Sequence, residues 1–226
     1  MRPWPLGVAS LGRPFFPLPC LMLVTDRRLC PDLPAAVAGA VAGGVNLVQL
    51  REKDLPAGQL LALAQALRRA TAGRALLLVN DRADVALAVG ADGVHLPEDG
   101  LPVAAARRLL GPQRLVGCSV HSLAEAARAE AEGADYLVLG PIYPTRSHPD
   151  AVPAGPGLIA QVRPAVRVPL LAIGGVTAAA APEVLAAGAS GVAVISAVLG
   201  SEDPQAAAGA LRRALDAAWA QVRGRP

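Results

Sequence analysis

Five short stretches of this 226-residue chain carry side chains able to do chemistry, and each follows an apolar run. "QLREKD" brings Gln49, Arg51 and Lys53 at alternate positions, which share one face of an extended chain. "NDR" brings Asn80 and Asp81, "HLPED" brings His95, Glu98 and Asp99, and "GCSVHS" brings Ser119 and His121. "LGPIYPTRSHPD" sets Thr145, Arg146, Ser147 and His148 side by side, a dense set of hydrogen-bond donors for a loop. Two more runs end in "IGGV", with Gly174 and Gly175, and in "VISA", with Ile195 and Ser196.

The charge types suggest what such groups would hold. Arg51 and Lys53 together suit a polyanion, the first as a planar fork and the second as a point charge. Lys53 is the only lysine beside 20 arginines, so a chain that avoids lysine keeps one in this cluster. Asp81, alone or with Asp99, suits Mg²⁺, a hard cation that bridges carboxylate and phosphate oxygens. No Ser-His-Asp or Cys-His pairing is signalled. Each group also has a plain structural alternative. Asn80 and Asp81 could cap a helix, Glu98 and Asp99 could be solvated, His95 could be a hydrogen-bonded core residue, and the glycine pair a tight turn.

The elements that must position these groups alternate along the chain. Apolar runs at 20–25, 45–50, 75–80, 92–96, 114–119, 135–140, 168–174 and 191–196 read as strands buried on both faces, hence a parallel sheet. Ala-, Leu- and Arg-rich stretches of helical spacing lie between them, such as 56–71 and 122–134, where Ser122 and Glu125 form a capping box. Phrases such as "GGV" and "EGAD" recur before strands as helix ends. Eight strands and eight helices in strict alternation predict a single α/β domain, a closed (β/α)₈ TIM barrel over 20–222, with an open doubly wound sheet as the alternative. In such a barrel the C-terminal strand ends form one rim, and backbone N–H groups after strands 7 and 8 make a phosphate site. The chemistry-bearing stretches then converge. Two anion sites on one rim, one with a metal, imply small-molecule phosphate and diphosphate substrates.

Composition narrows the class. Hydrophobic residues make up 53% and aromatic residues 3%, so the core must be Leu, Val, Ile and Ala. A net charge of +3 with no basic run argues against nucleic acid. No apolar run nears the ~18–20 residues of a membrane span. Three scattered cysteines fit a reducing compartment and predict a cytoplasmic protein. Residues 1–19, interrupted by five prolines, read as a disordered extension or an upstream mis-start. A homo-oligomer is left open.

"VQLREKD", "VNDRADVALAVGADGVHL", "GCSVHS", "GADYLVLGPIYPTRSHPD", "LAIGGV" and "AGASGVAVISAV" resemble, in order from about residue 20 to 215, the thiamine-phosphate synthase and thiazole tautomerase superfamily. For the synthase branch the resemblance implies Mg²⁺-dependent coupling of hydroxymethylpyrimidine diphosphate with thiazole phosphate. It assigns Gln49, Arg51, Lys53, Asn80, Ser119 and His148 to the pyrimidine diphosphate, with Arg51 and Lys53 catalytic. Thr145, Arg146, Ser147, Gly175, Ile195 and Ser196 fall to the thiazole phosphate, and Asp81 and Asp99 to the metal. Two departures mark this chain. "HLPED" is one residue shorter than the synthase turn, which bears on whether Asp99 reaches the metal. His148 replaces a lysine that would contact diphosphate, a role Arg146 could take. The tautomerase branch implies acid/base work by His121 on the thiazole ring, and a non-catalytic ligand-binding barrel is the third reading. The lysine kept in the clamp and the "ND" pair favour the synthase.

Overall fold

The computed structural model describes residues 14–145 and 150–224. Eight parallel strands pair in chain order and close, β8 against β1, into a barrel. They are β1 Cys20–Val24, β2 Leu47–Leu50, β3 Leu76–Asn80, β4 Gly93–Leu96, β5 Leu115–Val120, β6 Tyr136–Leu139, β7 Leu170–Ile173 and β8 Gly191–Val194. Each coincides with an apolar run read as a strand, β5 reaching one residue past its run to Val120, and the closure excludes the open sheet. Among the described residues no helix is long and apolar enough to cross a membrane.

Helices wrap the barrel: α1 Leu33–Ala42, α2 Ala57–Thr71, α3 Ala83–Val89, α4 Val103–Leu110, α5 Leu123–Ala131, α6 Pro156–Val162 and α7 Ala181–Ala186. The eighth position departs from the expected single helix. A short α8, Ser196–Leu199, stops at Gly200, and α9, Pro204–Arg223, starts afresh from the Asp203 cap. Pro204 suits a first helical turn and not a helix interior, which explains the break. At α5 the Ser122 hydroxyl accepts from the Glu125 N–H, while the Glu125 carboxylate takes the Ser122 hydroxyl and the His121 N–H. The capping box therefore reaches one residue further back than its usual form.

Two apolar layers result from burial on both strand faces. One lies between strands and helices and holds residues such as Leu21, Val48, Leu77, Val94, Leu137 and Val192. The other fills the barrel with Cys20, Met22, Leu47, Leu78, Leu115, Tyr136, Val138, Leu171 and Ala193. Phe16 is half-buried and stacks on Tyr136, with ring centroids 4.9 Å apart, so packing begins ahead of β1. Residues 1–13 of the extension lie outside the described residues.

The recurring phrases before strands serve the barrel's N-terminal end. A polar residue just ahead of each even-numbered strand accepts an N–H from the preceding odd strand: Asn46 from Leu21, Asp92 from Leu77, Asp135 from Val116, and Ser190 from Leu170. Asp92 and Asp135 also pair with Arg68 of α2 and Arg107 of α4 at 2.5 and 2.6 Å. Four equivalent bonds around the barrel make these phrases architecture.

Candidate active site

The C-terminal strand ends gather polar side chains inside the barrel where the apolar filling stops. Gln49 on β2 and Asn80 on β3 are both buried, and Gln49 Nε2 donates to Asn80 Oδ1 at 2.8 Å. That bond leaves Gln49 Oε1 and Asn80 Nδ2 as a neighbouring acceptor and donor. Asn80 therefore does not cap the following helix, and neither does Asp81. The α3 cap is Arg82, with no side-chain cap bond.

Asp81 instead sits in the left-handed region at φ 63°, alone among the described non-glycine residues. Asp tolerates that conformation better than most residues, and such positions concentrate at functional sites. Its N–H donates to the His95 carbonyl at 2.9 Å, which ties the turn to β4. Its carboxylate is exposed and abuts the tight turn after β4. A side-chain carbon placed on Gly100 would come within 3.0 Å of Asp81 Oδ1. Asp99 precedes Gly100 in that turn, which is closed by Gly100 N–H to the Pro97 carbonyl. Among the described residues no three His, Cys, Asp or Glu side chains cluster tightly enough to hold a metal. Two exposed carboxylates suit a hard cation that completes its shell with water and substrate phosphate.

Arg51 follows β2. Its N–H donates to Thr25 Oγ1 at 2.9 Å, and its guanidinium charge is felt at His95. Strand β2 ends at Leu50 and the chain turns at 53–55, so the strict alternation expected to carry Lys53 on the same strand face stops first. Lys53 lies exposed in that turn. Between the two sits a residue the charge pattern conceals. The Glu52 side chain is only 2% exposed and accepts from Thr25 Oγ1 at 2.7 Å, from the Arg27 N–H and from Arg27 Nη1, both at 3.1 Å. Arg27 also pairs with Asp54 at 2.7 Å, which holds that exposed carboxylate down to about 2.

His95 is the hydrogen-bonded core residue of the plainer reading. Its Nδ1 lies 2.9 Å from the Tyr136 hydroxyl and its Nε2 2.9 Å from Ser119 Oγ. Burial, with the Arg51 charge nearby, pushes it down to about 3, so the ring is neutral. Ser119, half-buried on the inner face of β5, meets the mouth of the barrel. His121 begins the next loop, its Nδ1 2.5 Å from the Gly140 carbonyl and its Nε2 3.5 Å from Glu98 Oε2. The carbonyl can only accept, so it fixes the imidazole proton on Nδ1.

The loop after β6 is held at both ends. Ile142 and Tyr143 N–H donate to the Ile173 and Gly174 carbonyls beyond β7, and Ala154 and Gly155 N–H donate back to Pro141 and Ile142. Tyr143 Oη donates to Glu183 at 2.6 Å. Gly175, at φ 64°, leaves space that a side chain would take from the Pro144 carbonyl, 2.4 Å away. Thr145 is thereby brought beside the end of β7. Arg146, Ser147 and His148 lie outside the described residues. Ile195 and Ser196 follow β8, with Ile195 packed on the barrel interior. A cavity of about 250 Å³ opens beside the rim, lined in part by Glu98, Cys118, Ser119 and Glu125. A larger hollow, about 480 Å³ beside Arg27, Cys30 and Leu63, touches none of the candidate residues.

Fold and rim together define a (β/α)₈ barrel whose mouth gathers Gln49, Arg51, Asn80, Asp81 and Ser119. The model of the family described as "Thiamine monophosphate synthase" matches residues 21–198, and the chain belongs to that family. It is 54% identical to the thiamine-phosphate synthase of Methanoculleus marisnigri over 211 residues, 90% of this chain and 98% of that one. It is 45% identical to the thiamine-phosphate synthase of a Roseiflexus species over 200 residues, 87% and 85% of the two chains. The solved thiamine phosphate pyrophosphorylase from Pyrococcus furiosus superposes with a TM-score of 0.82 at 40% identity, covering 88% of this chain and 96% of that one.

Proposed function

We propose that this chain is a Mg²⁺-dependent thiamine-phosphate synthase, a transferase that joins hydroxymethylpyrimidine diphosphate to thiazole phosphate and releases diphosphate. The observation that carries the site assignment is the Asp81 turn. A carboxylate in a left-handed turn at the end of β3 lies against the turn bearing Asp99, with no hydrogen bond or ion pair engaging it among the described residues. Bound by Asp81 and Asp99, Mg²⁺ would neutralise the charge that builds on the departing diphosphate.

The chain's own groups then divide the work. Arg51 and Lys53 donate to the diphosphate, whose negative charge grows as the carbon–oxygen bond breaks. Ser119 adds a hydroxyl donor from β5. Gln49 Oε1 and Asn80 Nδ2 meet the aminopyrimidine, whose amino group donates and whose ring nitrogen accepts. No nucleophilic side chain is needed, because the carbon losing diphosphate becomes cationic and the thiazole nitrogen attacks it. Thr145, Arg146, Ser147, Gly175, Ile195 and Ser196 hold the thiazole phosphate so that this nitrogen faces the cation. His148 stands where the family keeps a lysine, and Arg146 supplies the missing positive charge. His121 spends its Nδ1–H on Gly140 and steadies the entry to that loop. The isomerase and binding-barrel alternatives are set aside, because relatives sharing about half their residues over most of the chain are synthases. The few cysteines, all unpaired, support a cytoplasmic setting.

The test is diphosphate release with both substrates, with and without Mg²⁺. Release should need the metal, Asp81→Ala should abolish it, and His121→Ala should keep most of it. Loss with His121→Ala and a harmless Asp81→Ala would instead identify proton shuttling as the chemistry.

A further inference from the structure

The reaction as drawn uses Ser119 and leaves unexplained two polar groups buried beneath it. Tyr136, on β6, is wholly buried, its ring packed between Phe16 and Gly117. Its hydroxyl lies 2.9 Å from His95 Nδ1 on β4, and His95 Nε2 lies 2.9 Å from Ser119 Oγ on β5. The three side chains thus form one hydrogen-bonded line from the barrel's filling to its mouth.

These contacts admit one arrangement of protons. The Tyr136 hydroxyl has a proton to donate, and among the described residues its hydrogen-bond partner is His95 Nδ1. If Nδ1 carried the imidazole proton, the phenol would have to accept it, and the buried phenol proton would lose its partner, at a cost in free energy. Nδ1 is therefore bare. The ring proton sits on Nε2 and is donated to Ser119 Oγ. Ser119 then has no inward acceptor for its own proton, which is left for a ligand in the mouth. The opposite tautomer would draw that proton inward to Nε2 and turn an oxygen lone pair toward an anion.

We propose that Tyr136 and His95 are positioning residues that hold Ser119 as an outward hydrogen-bond donor to the anionic group of the substrate. The ligand side of this proposal rests on the reading of Ser119 as a diphosphate contact. The proton arrangement stands on the barrel geometry alone. Gly117 belongs to the same device: a methyl group there would come within 2.0 Å of the Tyr136 ring and 2.3 Å of its hydroxyl oxygen, and displace the phenol from His95.

Nitrogen NMR of the full chain, labelled in histidine, tests the proton arrangement directly. His95 should show a protonated Nε2 and a bare Nδ1, and a protonated Nδ1 would overturn the proposal. Tyr136→Phe keeps the ring and its stack on Phe16 but removes the donor, so the His95 signals should shift toward a mixture of tautomers. Affinity for inorganic diphosphate with Mg²⁺ should fall in that variant by the fraction of His95 that carries its proton on Nδ1, about twofold for an even mixture. Ser119→Ala should cause the larger loss, about tenfold or more, as for loss of a hydrogen bond to a charged group, and the double variant no further loss than Ser119→Ala alone. Additive losses would show that Tyr136 acts through packing and would overturn the positioning role. Unchanged diphosphate affinity in Ser119→Ala, with Nε2 protonated in the parent chain, would overturn the ligand side alone.

Discussion

Glu52→Ala should be among the most damaging single changes near the rim, although its neighbours in sequence are charged and exposed. The carboxylate accepts from Thr25 Oγ1, which is itself fully buried, and from two Arg27 donors. Truncation leaves the Thr25 hydroxyl and the Arg27 N–H without their acceptor. Each hydrogen bond to a charged group contributes roughly 1.5–3 kcal/mol. The Arg27 guanidinium is a third exposed and keeps Asp54, so its share is discounted for solvent screening. A loss of about 3 kcal/mol follows from the two remaining bonds after partial relaxation. In a domain of this size that corresponds to a melting temperature lower by about 6–12 °C.

The same knot reaches the site. Thr25 Oγ1, held by Glu52, accepts the Arg51 N–H at 2.9 Å. Glu52→Ala should therefore also lower kcat/KM at temperatures where the variant is fully folded. Thr25→Val, which keeps the shape and removes the hydroxyl, should reproduce part of both effects, and the double variant should cost less than the sum. Urea unfolding gives the stability, read as a lower midpoint at unchanged slope. A Glu52→Ala protein within about 0.5 kcal/mol of the parent, the range of ordinary surface changes, would refute the reasoning.

Three further outcomes follow. His95 is held down from 6.5 to about 3, so between those values the unfolded chain binds a proton that the folded chain refuses. Stability should then rise with pH across that window and fall as pH drops through it, with a slope approaching ~1.4 kcal/mol per unit. Urea titrations over the window should show this slope, His95→Gln should flatten it, and an unaltered slope would refute the assignment. Gly117→Ala should destabilise by about 1–3 kcal/mol through overpacking against Tyr136, checked by thermal unfolding. Lys53→Ala should lower diphosphate-releasing turnover far more than exchange of an exposed arginine such as Arg69, by roughly 2–4 kcal/mol of barrel-mouth charge stabilisation. Unchanged turnover with an intact fold would return Lys53 to the surface.

The barrel was legible because burial on both faces makes each strand a continuous apolar run, and helices separate these runs at regular intervals. Five polar stretches mark the rim for the same reason: a polar residue ends an apolar run where the strand leaves the interior. What escaped the sequence depends on contacts between strands. Glu52 lies in "REKD" and reads as one charge among four, yet Thr25 and Arg27, from the preceding loop, close over it. The alternation that joined Lys53 to Arg51 holds only while the chain is extended, and β2 ends at Leu50. Tyr136 sits in an apolar run whose period says nothing of its hydroxyl, and its space comes from Gly117 on a different strand. The break between α8 and α9 was visible in Gly200 and Pro204, but the regular alternation outweighed it.

The polar groups of the mouth share an arrangement that none shows alone. Thr25 and Glu52 link the ends of β1 and β2, Gln49 and Asn80 link β2 and β3, and His95 and Ser119 link β4 and β5. In each pair one hydrogen-bonding face is used against a neighbour inside the protein. Gln49, Asn80 and Ser119, so engaged, cannot turn inward to satisfy themselves, so their remaining donors or acceptors are presented to the mouth before any ligand arrives, while the buried Thr25–Glu52 pair holds the Arg51 N–H. Groups fixed this way need little reorganisation when charge develops, which is where electrostatic stabilisation is largest. The barrel also accounts for why the arrangement is built between strands. Neighbouring parallel strands are held in register along their whole length, so a cross-strand bond at the rim inherits the rigidity of the ladder beneath it. The same bonds within a single loop would move with that loop.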